Sequence, residues 1–92
     1  MRPEELFLAL GSSTRIEILK ILAAGPRNTA QVLDELDRRG FRVKYRESVF
    51  RALERLVSVG LVEKYYDNSR RGIHYRLLKV RLEIDFQTGQ VG

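Results

Sequence analysis

The chain has no cysteine and one histidine, His74, among its 92 residues. The missing thiols exclude disulfides, thiolate metal ligands and cysteine nucleophiles together. With a lone histidine there is also no Cys/His cluster of the kind a metal sensor needs, so no cofactor is expected. No apolar run reaches the roughly eighteen residues of a membrane span, because Glu17 and Lys20 interrupt the best stretch, Ile16 to Ala24. Glu4 and Glu5 stand where a secretory signal needs a clean apolar region. A cytoplasmic chain with no membrane partner is expected. Nor is there an internal repeat, a low-complexity stretch or a linker, so residues 1–92 read as one domain with a modest core.

Charge is unevenly placed. Residues 1–37 hold four Lys/Arg against six Asp/Glu, residues 38–81 hold thirteen against four, and residues 82–92 hold none against two. The net charge of +5 therefore belongs to the middle of the chain. Such a field attracts a polyanion by counterion release and steers its approach. Thirteen of the cations are arginine and four are lysine, which suits forked contacts to phosphates and guanine edges. A surface of solvated charges explains the same total but not its segregation.

The middle segment also holds the most regular pattern. Val49, Leu53, Leu56 and Val57 recur at helical spacing, while Glu47, Ser48, Arg51, Glu54, Arg55 and Ser58 occupy the other face. The spacing predicts a helix over about 45–59, stopped at Gly60 and followed by a strand over Leu61–Tyr66. A second strand, Ile73–Leu78, follows the polar turn Asp67-Asn68-Ser69-Arg70-Arg71-Gly72, which makes a hairpin with two arginines at its tip.

Earlier in the chain, Pro3 and two acids open a short helix with Leu6, Phe7 and Leu10 on its apolar side. Ser12-Ser13-Thr14 supplies N-cap chemistry for a second helix, Thr14 and Glu17 match a capping box, and the core stripe is Ile16, Leu19, Leu22 and Ala23, widened by Ile18 and Ile21. Gly25-Pro26 ends it. Asn28 caps a third helix, Thr29 to Arg39, with Val32, Leu33 and Leu36 inward. The link Gly40–Lys44 reads as a short extended piece that tucks in Phe41 and Val43 and exposes Arg42 and Lys44. Strict alternation over Val80–Phe86 predicts a strand with one buried face, and residues 87–92 read as a frayed tail. The whole is α+β: three to four helices, a two-stranded hairpin and an additional C-terminal strand.

Three stretches together resemble the winged helix-turn-helix transcriptional regulators of the ArsR-like type. LGSSTRIEILKILAAGP (10–26) looks like that group's second helix, SVFRALERLVSVGLVEK (48–64) like its recognition helix running into the first wing strand, and RRGIHYRL (70–77) like the wing tip and return strand. The turn before the recognition helix is longer, more similar to Fur-like and PadR-like regulators. No C-terminal dimerisation helix follows, so that group's dimer geometry does not carry over.

The resemblance implies a sequence-specific double-stranded DNA binder acting as a homodimer, with the predicted helix in the major groove and the hairpin on flanking backbone or minor groove. Ser48, Arg51 and Arg55 on the outer face of that helix, with Arg46 in its first turn, are then the base-reading candidates, Arg51 foremost. Arg42, Lys44 and Tyr45 are candidate phosphate clamps, and Arg70 and Arg71 candidate hairpin contacts to phosphate or minor groove. The competing reading pairs Arg51 with Glu47 or Glu54 and leaves the rest in water. The N-terminal helix and the C-terminal strand, each with a spare apolar face, are the expected dimer surfaces.

Two further functions fit the same fold: a protein-interaction module of transcription or replication machinery, and a single-strand binder using Tyr65, Tyr66 and Tyr75. His74 has no nucleophile or orienting partner in the sequence, so an enzyme is not expected.

Overall fold

The computed structural model describes residues 3–79 and 81–91, apart from the side chains of Pro3 and Leu6. They form four helices, α1 (Pro3–Leu10), α2 (Ser13–Ala23), α3 (Thr29–Arg38) and α4 (Arg46–Ser58), followed by the antiparallel hairpin of β1 (Val62–Asp67) and β2 (Gly72–Leu77). A second, minimal ladder joins β3 (Ile84–Asp85) to β4 (Gln90–Val91). None of these helices is long and apolar enough to cross a membrane.

Local chemistry sets most boundaries. Asn28 caps α3 in a full capping box: its side chain accepts from the Gln31 N–H at 2.8 Å, and the Gln31 side chain accepts from the Asn28 N–H at 2.9 Å. α3 and α4 end alike. Gly40 and Gly60 take left-handed φ values of 83° and 79°. Phe41 N–H then reaches Leu36 at 2.9 Å, and Leu61 N–H reaches Leu56 at 3.1 Å. This is the six-to-one bond of a Schellman stop, closed in each case by an apolar residue folding back on the helix. It swings Phe41 and Val43 against the core and leaves Arg42 and Lys44 in solvent.

The second helix departs from expectation in two ways. Of the three candidate caps Ser12 takes the role, accepting from Arg15 N–H at 3.3 Å, so Thr14 is already inside the helix and the Thr14–Glu17 capping box does not form. Glu17 is thereby freed from capping and meets Arg39 of the α3 terminus at 3.2 Å. The buried stripe is also different. Ile18, Ile21 and Leu22 enter the core, whereas Ile16 is 39% exposed, Leu19 is half-buried and Ala23 is exposed. α2 is apolar over most of its circumference, and α1, α3, α4 and β2 all pack against it.

The core gathers those three residues with Val32 and Leu36 of α3, Val49, Leu53 and Leu56 of α4, and Leu61, Val62 and Tyr75 beyond it. Burial of each such aliphatic side chain stabilises by about 1.5–3 kcal/mol before entropy is set against it. The hairpin is anchored by a further pairing. Arg27, in the α2–α3 link, exchanges both backbone hydrogen bonds with Tyr75, at 3.0 and 2.8 Å, adding a one-residue third strand beside β2.

The predicted strand over 80–86 is replaced by a short fold-back, and Val80 lies outside the described residues. Leu82 and Ile84 do turn toward the core, as their alternation implies. The chain then reverses, because the Asp85 carboxylate accepts from Gln87 and Thr88 N–H and the Asp85 carbonyl accepts from Gly89 at 2.7 Å. Gln90–Val91 therefore pairs with Ile84–Asp85 where a frayed tail was expected, and Phe86 is left 87% exposed at the turn.

Candidate nucleic-acid interface

α4 buries Val49, Leu53 and Leu56, so its helical period turns Glu47, Arg51 and Arg55 outward. One flank, with Ser48 and Ala52, borders an open groove of about 620 Å³. Across that groove lie Arg42, Lys44 and Tyr45 of the extended link. The groove lining also includes Ser12, Thr14 and Arg15 from the start of α2, where the sequence presents Ser12 and Thr14 only as cap candidates. Arg15 is committed structurally: its guanidinium donates to the Ala9 and Leu8 carbonyls at 2.5 and 2.8 Å, closing the end of α1. Only helix packing brings the α2 terminus here, and no local pattern signals it.

The ion pairs decide which cations remain available. Glu17 and Glu35 bind Arg39, Glu35 also binds Arg38, Glu63 binds Arg76, and Glu54 binds Lys64 at 2.5 Å. Among the described residues, Arg42, Lys44, Arg46, Arg51 and Arg55 have no carboxylate partner. Arg51 donates to the Glu47 backbone carbonyl at 3.4 Å, not to the carboxylate of Glu47 or Glu54. The first turn of α4 is likewise open: Tyr45 stands at the cap position, 63% exposed, without a side-chain cap. Tyr45 and Ser48 place the start of α4 at the edge of the groove that Arg42, Lys44, Arg51 and Arg55 line.

No protein family and no curated protein sequence matches the chain.

At the hairpin tip the two arginines differ. The Asp67 carboxylate accepts from Arg70 N–H at 3.0 Å, a bond that holds its carboxyl below the usual range, and the Arg70 guanidinium sits 4.0 Å from the same group. Arg71 has no such partner among the described residues and takes φ 52°, which fits the last residue of a tight reversal. The hairpin thus presents one tethered and one free arginine, away from the α2–α4 groove.

The three tyrosines separate as well. Tyr75 is buried and donates its phenol to Glu54 at 3.2 Å, so it offers no face to a base. Tyr65 is half-buried, with the Arg76 guanidinium 5.0 Å from its ring centre. Tyr66 alone of the three is exposed. His74 is buried beside Tyr65 with Nδ1 3.1 Å from the Gly72 carbonyl, and Nε2 is buried without a partner. Among the described residues no group of three His, Asp or Glu side chains converges as a metal site.

Proposed function

We propose that the chain is a winged-helix protein that binds double-stranded DNA sequence-specifically and regulates transcription as a homodimer. The observation that carries this reading is the set of unpaired cations bordering one groove. Arg42, Lys44, Arg51 and Arg55 line it, Arg46 stands in the first turn of α4, and the nearby Glu54 is engaged elsewhere. In the proposed complex α4 lies in the major groove, with Arg51 and Arg55 toward base edges and Ser48 beside them. Arg42, Lys44 and Tyr45 hold the phosphate backbone, and Arg46 reaches the groove edge from the first turn of α4. The β1–β2 hairpin serves as the wing, Arg71 reaching the flanking phosphates or minor groove. An interface that reads few bases per copy gains specificity from two half-sites, which is the reason for a dimer.

Fluorescence anisotropy with random duplex and with the DNA upstream of the gene, over a salt series, tests this. A steep loss of affinity with salt and tighter binding to the upstream DNA is expected. Salt dependence without preference would remove the sequence-specific part. Absence of binding at low salt would overturn the reading in favour of a protein-interaction module.

A further inference from the structure

The outer stripe of α2 opens on an apolar groove of about 400 Å³, larger than one aromatic side chain. Ile16, Leu19 and Ala23 form one wall, and Leu61 and Leu77 the other. Lys20 and Lys79 stand exposed at its rim and have no carboxylate partner among the described residues. Leu10 and Leu82 complete the lining. Four residues further on, Phe86 projects 87% exposed from the β3–β4 turn, flanked by the exposed acids Glu83 and Asp85. The turn is held by the Gly89–Asp85 bond, so the chain's own fold keeps this ring in water.

We infer that Phe86 of one copy docks in this groove of a second copy, its acids against Lys20 and Lys79, and that the exchange is reciprocal. Three properties favour a second copy as the occupant. The knob is aromatic and the groove apolar; the knob's flanks are acidic and the rim basic; and both lie on one chain. Their closeness also matters. Four residues span at most about 14 Å, so the knob of each copy starts beside its own groove, and a two-fold axis between them closes the pair. A one-way contact, in which the second copy returns no knob, would instead build a ring or an open array. The contact gives a definite interface to the homodimer of the preceding reading, but it requires no nucleic acid.

Sedimentation equilibrium of the full chain without DNA measures it, which separates its failure from failure of DNA binding. A concentration-dependent dimer is expected, and Phe86→Ser, at a solvent-exposed site, should weaken it about tenfold or more while leaving the circular dichroism spectrum unchanged. The chain's lack of cysteine permits a positional check. A Phe86→Cys chain mixed with an Ala23→Cys chain should form a disulfide heterodimer under mild oxidation, in excess of that formed with an Asn68→Cys control. A chain that stays monomeric at high concentration, a dimer indifferent to Phe86→Ser, or cross-linking no greater than the control would each overturn the inference.

Discussion

Tyr75 on β2 and Glu54 on α4 are joined by a 3.2 Å hydrogen bond, and the same carboxylate oxygen receives Lys64 of β1 at 2.5 Å. One acid therefore holds both strands of the hairpin against the helix. Lys64 also lies 5.4 Å from the Phe50 ring centre on α4. The angle between the α4 arginines and the hairpin tip is fixed through this cluster. It occupies the flank of α4 opposite Ser48 and Ala52, leaving that side open.

The cluster has an alkaline signature. Burial, and then the Glu54 charge, pushes the Tyr75 phenol up to about 12. The folded state thus holds this proton more tightly than the unfolded chain, whose phenol titrates near 10. Its contribution is fully present below about pH 10 and is lost as pH rises toward about 12. Thermal unfolding followed across this window should show a fall in melting temperature that Tyr75→Phe reduces, and phenolate absorbance should show one late-titrating tyrosine. A late tyrosine that persists in Tyr75→Phe would assign the proton to another residue.

DNA binding should separate by residue. Arg51→Ala is expected to cost about 1–3 kcal/mol on the preferred site and to relax discrimination there. Arg42→Ala or Arg71→Ala should weaken all sequences alike and lower the salt slope by about one. Competition with mutated duplexes reads both. Unchanged discrimination in Arg51→Ala would mean that α4 sits differently on the duplex.

Gly60 and Gly72 form a matched pair for stability. A Cβ would meet nothing within 4 Å at either position, yet only Gly60 has a left-handed φ, 79°. Gly60→Ala should therefore destabilise by about 1 kcal/mol from backbone strain, and Gly72→Ala should come close to neutral. Denaturant midpoints compare them directly.

His74 contributes a buried Nε2 without a partner. His74→Leu removes that nitrogen and forfeits one hydrogen bond to Gly72, so stability should rise, by up to about 1 kcal/mol. A marked fall in the unfolding midpoint would mean that the ring nitrogen is satisfied in solution.

By itself the sequence determined what depends on residues close along the chain. Asn28 with Gln31 starts α3, Gly40 and Gly60 stop two helices, and the polar run 67–72 reverses the hairpin. These are bonds between groups a few positions apart, so the residue types suffice. The period of α4 likewise sends Arg51 and Arg55 outward once Val49, Leu53 and Leu56 go in. Tertiary structure alone decided the rest. α2 has apolar residues around most of its surface, and only its packing among the other elements selects Ile18, Ile21 and Leu22 over Ile16, Leu19 and Ala23. Glu17 could cap its helix or bind Arg39, and Glu54 could pair with Arg51 or with Lys64 and Tyr75. The outcome depends on which groups the assembled elements bring within reach, because a long charged side chain samples several partners at little cost. Alternation cannot tell a strand from a fold-back, so the turn after Asp85 came from tertiary placement. That turn leaves Phe86 in solvent, where a continued strand would have aligned it with the inward-facing Leu82 and Ile84.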